Sequence, residues 1–541
     1  MASSSTIQFQ TKGLWTISLT VFMVSYNVSV MPAIMPAIVS DFGASMGYIQ
    51  SILVLFSLVT AAFAPTAENL CRFYGRTPVF LTGLICYGLG ISLTALSPSL
   101  PMMTLTFSLL AGLAASPLVS TPWTIVDLVY DGKSEEQAMV ILIVTSALGA
   151  ISGALLGGYL ASQLGWRWAF APSLLVLILV WRLQRLLPQL VIRSQQSIDW
   201  VGGLLSLLGL GSILSGISLA GDFGWWQPKR LFTIAGYVLP PFRLSIVPTL
   251  IAAGLILMGL FLFWQRRQAT RFQISLWRAG LLRKRGFVLG MFTAMIHTII
   301  TTGVQFNLFQ YLPTALSLNP FQTALAVIPY NLTVIITVVS NLKYLKLSDR
   351  ICPKYIVFSG IIFLASGIGM LYLNLNFQFT SLQLLPGLIA MGVGSGLFLS
   401  YVSRLTYATA APHEKPEGSG IYNPVQNLGS SLGRAILGTT LIFFTSRDIV
   451  DGILQKLGRT LTPIDRNRAI MELQEMIQTL SKPELRETLS EKLPSSVVEI
   501  IRPIGLEAAR SGMQTSLLIA LLFTGFCFLL ATTLPKYPSR S

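Results

Sequence analysis

An all-α membrane protein of about fourteen transmembrane helices is the fold class that this sequence predicts, on three observations. Of its 541 residues, 53% are hydrophobic and 11% charged, where a soluble chain carries about 25% charge. Apolar runs of about 20 residues, each long enough to cross a bilayer, recur from end to end. The cations gather between these runs: Arg266, Arg267, Arg271, Arg278, Arg283, Lys284 and Arg285 share one short stretch with no acid. That is the positive-inside pattern, so the net charge of +16 reads as membrane orientation. Neither aromatic-interleaved basic patches nor zinc-ligand spacings occur, which excludes nucleic acid as a partner.

The spans fall near 14–36, 48–67, 78–97, 103–126, 138–162, 168–187, 200–220, 247–265, 287–311, 321–341, 355–374, 383–404, 419–445 and 513–534. The first is kept as a span, because MASSSTIQFQTKGLW lacks the charged start and small-residue cleavage site of a secretory signal. An even number of crossings puts both termini on one side. Arg72, Arg76, Arg182, Arg185, Arg193, the 266–285 cluster, Lys343, Lys346, Arg350 and Lys354 place that side in the cytoplasm. Cys71, Cys86, Cys352 and Cys527 are scattered and read as free thiols. Residues 446–512 hold ten basic and ten acidic side chains, so this stretch lies outside the membrane between the last two spans. There SKPE (Ser481 to Glu484) and SVVE (Ser496 to Glu499) have the form of a capping box and predict short surface helices. Such a segment is a solvated loop or a guide for a partner or substrate.

The fifth span ends in ALGAISGALLGGYLASQLGWRW, residues 147 to 168. Each glycine costs a helix roughly 1 kcal/mol relative to Ala. Residues four apart drift only about 40° around a helix. Gly149, Gly153 and Gly157, with Gly158 beside them, therefore form a narrow stripe on which another backbone can close. Trp166, Arg167 and Trp168 fall where the chain leaves the bilayer, which suits interfacial anchoring.

The spacing G-x-x-x-G-x-x-x-G-G resembles the antiporter motif on the fifth span of the major facilitator superfamily. GWRWAF is similar to the segment just after that motif in the fourteen-span drug/proton antiporter branch. MPAIVSDFGAS (35–45) resembles that branch after span one, and DWVGGLLSLLGLGSILSGISLAGDFGW (199–225) its seventh span, where a two-helix insertion makes fourteen out of twelve. LFQYLP (308–313) resembles the end of span nine, LSDRICPK (347–354) the gating loop of the second half, and EGSGIYNPVQNLGSSLGRAILG (417–438) span thirteen. The resemblance implies the major facilitator fold, two six-helix bundles plus two inserted helices. Residues 1–198 would form the N-terminal bundle, 199–286 the insertion with a basic cytoplasmic linker, and 287–541 the C-terminal bundle including the extramembrane loop 446–512. The bundles would rock around a midplane site, with the Gly149–Gly158 stripe as the tight contact in that movement.

Several positions depart from the family pattern. ENLCRFYGR (68–76) puts Glu68 at the Gly position and Arg72 at the Asp position of the cytoplasmic motif, and keeps Gly75 and Arg76. Four residues apart, Glu68 and Arg72 are spaced to pair, either as a latch between the halves or in a loop that merely turns the chain. Asp349 and Arg350 supply the corresponding gating charges of the second half. Asn27 stands where the family has a membrane Asp, Ser108 where it has an Arg, and Ala154 where it has a Pro. Proton coupling needs a group that titrates within the membrane, and Asn cannot.

No carboxylate falls near a predicted midplane, and two other ionisable residues do: His297 and Arg434. His297 is either a protonation switch or a neutral imidazole bonded between helices. Arg434 binds an anionic substrate group, balances cavity charge, or snorkels outward to the interface or to the acidic residues of 446–512. The substrate-cavity candidates are Tyr26, Asn27, Trp123, His297, Gln310, Asn331, Asn427 and Arg434. Such polar groups also serve as interhelical glue.

The resemblance implies a secondary active transporter that exports small amphipathic organic molecules by alternating access. Its expected partners are a small-molecule substrate, protons and the lipid bilayer, and it is expected to act as a monomer in the cell membrane. Two alternatives stay open: the same fold without proton coupling, as a facilitator or anion-linked carrier, and a transport-inactive scaffold or sensor. No nucleophile–base pair or metal cluster is visible, so neither catalysis nor a cofactor or metal is expected.

Overall fold

A run of apolar residues in lipid must satisfy its own backbone, and the helix is how a single segment does so. The structure, a computed structural model, describes residues 2–43, 46–130, 133–186, 199–223, 226, 232–234, 237–239, 245–272, 281, 283–345, 347–375, 381–409, 415–458, 460–479 and 495–535. Each predicted span falls in a helix. The first six are α1 (Ala2–Phe42), α2 (Met46–Tyr74), α3 (Arg76–Ala95), α4 (Gly112–Val129), α5 (Lys133–Gln163) and α6 (Ala171–Leu183). A π-helical segment, Thr104–Ala111, leads into α4, and a 3₁₀ turn, Trp166–Phe170, leads into α6. The inserted pair is α7 (Trp200–Phe223) and α8 (Ile246–Phe272). The second half contains α9 (Arg285–Ala315), α10 (Pro320–Val339), α11 (Pro353–Asn374), α12 (Leu385–Thr406), α13 (Lys415–Leu457), α14 (Pro463–Thr479) and α15 (Ser495–Thr532). Among the described residues, twelve helices are long and apolar enough to cross a membrane, and shorter apolar stretches lie at Ser51–Ala64 in α2 and Trp200–Ile213 in α7. A small antiparallel ribbon, β1 (Phe232–Ile234) with β2 (Tyr237–Leu239), joins α7 to α8 and is the one addition to the all-α expectation among the described residues.

Two apolar cores divide the helices. One is built around Ile17, Tyr26, Phe80, Tyr87, Phe107 and Phe170 of the N-terminal half. The other is built around Phe287, Ile300, Phe398, Tyr401 and Met513 of the C-terminal half. Lipid gives helices little hydrophobic reason to associate, so close backbone approach supplies the contact. The glycine stripe of α5 does this against α1. A Cβ at Gly149 would strike the Phe22 carbonyl, one at Gly153 the Tyr26 carbonyl, and one at Gly157 would sit 3.1 Å from Val30. Gly158 is buried. Both α1 and α5 belong to the N-terminal half, so the stripe cements one lobe. This corrects the expectation that it forms the tight contact between moving bundles.

Span thirteen repeats the device. Gly429 and Gly433 of α13 close on the carbonyls of Met295 and Ile299 in α9, and Gly438 meets the Phe306 ring. The two lobes therefore share one internal joint, α1 on α5 and α9 on α13. Between the lobes the contacts are different. α5 meets α10, with the Tyr159 and Phe321 rings 6.4 Å apart, and α2 meets α13, where Val54, Leu58 and Ala61 pack with Leu428.

Polar groups pin the ends. Gly75, at φ 95°, takes a turn that L side chains resist and separates α2 from α3. Asp199 caps α7 by accepting from Gly202 N at 2.8 Å, and also accepts from Trp264 Nε1 and Gln265 Nε2 of α8 at 2.9 and 2.7 Å. The buried Lys354 donates to the Thr532 and Leu534 carbonyls at 2.5 and 2.6 Å, a cation set on the C-terminal end of α15.

The described part of the segment between the last spans is helical. α13 has 43 residues, roughly 64 Å at 1.5 Å per residue, against a bilayer core of ~30 Å. Beyond the membrane its Ile449, Val450 and Leu454 pack with Ile470, Leu473, Met476 and Ile477 of α14. Arg466 grips Asp451 through two bonds of 2.7 and 2.5 Å. SVVE does not open a separate short helix: it begins α15, which runs unbroken into the last span. The other cap, SKPE, lies outside the described residues.

Candidate functional site: the interface between the lobes

Arg434 follows Gly433 on α13. With Gly433 locked against the Ile299 carbonyl, the arginine is fixed on a neighbouring face of the helix. Its side chain crosses to the N-terminal lobe, where Nη2 donates to Ser57 Oγ on α2. Arg434 is 6% exposed and Ser57 7%. The guanidinium Nε has no hydrogen-bond partner, and among the described residues no carboxylate pairs with this cation. Arg434 thus does not snorkel outward. It bridges the lobes beside the apolar patch of Val54, Leu58, Ala61 and Leu428.

His297 lies deeper in the C-terminal lobe. Its ring stacks on Phe398 of α12 at 4.2 Å and 9°, and Nε2 is 3.2 Å from Ser395 Oγ. Tyr330 of α10 donates to the same Ser395 oxygen at 3.0 Å. The three side chains tie α9, α10 and α12 together. The imidazole is thus bonded between helices.

The other candidates divide. Tyr26 is fully buried and donates to the Ala169 carbonyl at 2.9 Å, inside the N-terminal lobe. Asn27 is fully buried too, donates to the Met23 carbonyl at 3.1 Å and faces the Tyr87 hydroxyl of α3. Neither reaches Arg434: burial within the first bundle removes both from the lobe interface. Trp123 of α4 is half-buried against the N-terminal core. Gln310 of α9 and Asn331 of α10 are half-buried as well. The Asn427 side chain lies outside the described residues.

Among the gating charges, the described pair joins α2 to α3. Glu68 takes Arg76 as its partner, in a buried two-bond grip of 3.1 and 2.5 Å across the turn at Gly75. This grip ties α2 to α3 within one lobe. The Arg72 and Asp349 side chains are outside the described residues, and Arg350 is exposed. On the other side of the bundle two distant motifs meet. Asp41 of SDFGAS accepts from Trp166 Nε1 at 2.9 Å and Arg167 Nη1 at 2.8 Å of GWRW, and Arg167 lies 4.3 Å over the Trp166 ring. At the substituted family position, buried Ser108 donates to the Ile52 carbonyl at 2.7 Å and ties the fourth span to α2.

Ser57 and Ser395 carried no sequence signal, since a lone serine in an apolar helix is unremarkable. The α13 stripe did carry one: NLGSSLGRAILG repeats the four-residue glycine spacing of the fifth span.

Two helical lobes in the membrane, meeting through several helix pairs and holding buried polar groups at that interface, define an integral membrane protein of the transporter class. A family model described as Major Facilitator Superfamily matches residues 17–433. The chain belongs to that superfamily. It is 24% identical over 445 residues to a multidrug resistance protein B homolog of Mycobacterium tuberculosis, covering 82% of this chain and 78% of the relative. It is 24% identical over 502 residues to a probable actinorhodin transporter of Streptomyces coelicolor, covering 90% and 83%. Among solved structures, a bacterial homolog to the human lysosomal transporter Spinster, inward-facing and unoccupied, superposes with a TM-score of 0.58 at 14% identity, over 98% of this chain and 99% of that one. The human organic anion transporter MFSD10 superposes with a TM-score of 0.56 at 13% identity, over 95% and 99%. These two likenesses concern the fold.

Proposed function

We propose that the chain exports small amphipathic organic molecules by alternating access, as a monomer in the cell membrane with both termini cytoplasmic. Residues 1–198 and 287–541 are the two lobes that rock, and 199–286 ride with them as an insertion. The observation that carries this reading is the α2–α13 crossing, where Ser57 of one lobe and Arg434 of the other meet out of water. A polar contact between lobes, flanked by an apolar patch, can part and re-form as a unit. The names of the multidrug resistance and actinorhodin relatives support an exporter of organic molecules.

For the driving force, protons are the first reading. A carrier without proton coupling is the second. It is favoured by the place of the described acids, each near a span end or beyond the membrane, and by the engagement of His297 with Ser395 and Phe398. The test is flux of N-phenyl-1-naphthylamine, 8-anilinonaphthalene-1-sulfonate and ethidium in proteoliposomes under separately imposed pH and electrical gradients. Saturable flux that depends on the protein supports the exporter, and its response to the pH gradient selects the first driving force over the second. Absence of flux for all three probes supports the scaffold reading instead.

A further inference from the structure

We propose that Arg434 is an anion-binding site between the lobes, and that the molecules it selects carry a carboxylate, sulfonate or phosphate on an apolar body. This rests on the exporter reading and names its substrate class. The starting point is an electrostatic imbalance. A guanidinium cannot shed its proton in a protein, and a buried cation is costly unless paired. Arg434 is 6% exposed, yet it donates to the neutral Ser57 hydroxyl and its Nε is unsatisfied. Other arginines of the protein are matched with acids: Arg76 has Glu68, Arg167 has Asp41, and Arg466 has Asp451.

The lobes themselves supply a control. Gly153 closes on Tyr26 as Gly433 closes on Ile299, so the residue after each glycine occupies the same place in its lobe. That residue is Ala154 in one and Arg434 in the other. The joint needs no cation, because the N-terminal lobe builds it with a methyl group. Packing therefore does not explain the arginine, whereas a missing counter-charge does.

Ser57 lies on the opposite lobe, so parting of α2 from α13 frees Nη2 as well. The guanidinium then offers two unpaired N–H edges, a fork that fits the paired oxygens of a carboxylate, sulfonate or phosphate. Val54, Leu58, Ala61 and Leu428 give the apolar body of the ligand a surface beside that fork. Return of Ser57 to Nη2 competes with the anion and favours its release.

The test uses a matched pair of probes that share a ring system: the sulfonate 8-anilinonaphthalene-1-sulfonate and the neutral N-phenyl-1-naphthylamine. Binding is measured on full-length protein in phosphatidylcholine liposomes. Arg434→Leu should weaken sulfonate binding by about tenfold or more, since a buried charge-assisted pair is lost. Arg434→Lys, which keeps the charge but not the fork, should recover only part of that loss. Neither variant should change binding of the neutral probe, which also shows that both fold. Displacement of the sulfonate by added phosphatidylglycerol assigns a lipid headgroup as the source of the anion; lack of displacement assigns a free organic anion. The proposal is overturned if Arg434→Leu binds both probes as wild type does, or loses both equally. The outcomes also separate it from the exporter reading. Flux of the neutral probe with no Arg434-dependent sulfonate binding leaves the exporter and sinks the site, and the reverse result does the opposite.

Discussion

The two lobes use the same joint for different ends. In the N-terminal lobe, Gly149, Gly153 and Gly157 of α5 close on α1, and the surroundings of the joint are neutral: Tyr26 bonded to Ala169, Asn27 beside Tyr87, and Ala154. Its charges sit at the rims and in pairs, Glu68 with Arg76 and Asp41 with Arg167. In the C-terminal lobe, Gly429 and Gly433 of α13 close on α9, but the joint carries His297 on one helix and Arg434 on the other. The difference teaches that the fold requires the glycines and leaves the neighbouring residue free. One lobe has spent that freedom on inert packing, the other on a cation aimed at its partner.

The comparison can be broken by stability measurements on purified protein, beginning with the largest effect. Glu68→Gln removes the carboxylate from a buried ion pair with Arg76, and removing one partner of such a pair costs about 3–5 kcal/mol. Thermal unfolding should therefore show a marked loss of stability. Gly153→Ala and Gly433→Ala each push a methyl group into a backbone carbonyl, and overpacking of this kind costs about 1–3 kcal/mol. The two losses should match within error; tolerance in one lobe alone would mean that the joints are not equivalent. His297→Gln trades one buried hydrogen bond for another and should cost no more than about 1 kcal/mol. It should also leave the response of flux to an imposed pH gradient unchanged, and loss of that response would make His297 a protonation switch. Arg434→Met should have the smallest effect, neutral or slightly stabilising, because it removes a buried charge with no acid to lose. A destabilisation as large as that of Glu68→Gln would show that Arg434 is structural.

Much of the fold was legible in the sequence, because a bilayer imposes a length on every apolar run and the fourteen predicted spans fall on α1–α13 and α15. The α5 stripe was legible as a packing surface, but not its partner, since spacing reveals a face and not the helix that meets it. The Glu68–Arg76 pair was hidden for a related reason. Helical spacing points only to Glu68–Arg72, whereas Arg76 reaches Glu68 across the turn at Gly75. At the candidate site, His297 and Arg434 stood out as ionisable residues deep in apolar runs. Ser57 did not, because a hydroxyl 377 positions away becomes a partner only when two lobes assemble. Helical continuity of α15 through SVVE was likewise invisible to a local capping rule.

The central claim is that transport requires the lobes to separate where α2 crosses α13. Leu428 packs on the patch that contains Leu58 in that crossing. With the four native cysteines replaced by serine, Leu58→Cys and Leu428→Cys can be oxidised to a disulfide in proteoliposomes and the flux of N-phenyl-1-naphthylamine measured. Flux should stop as the cross-link forms and return when it is reduced. Full flux through quantitatively cross-linked protein would contradict the account.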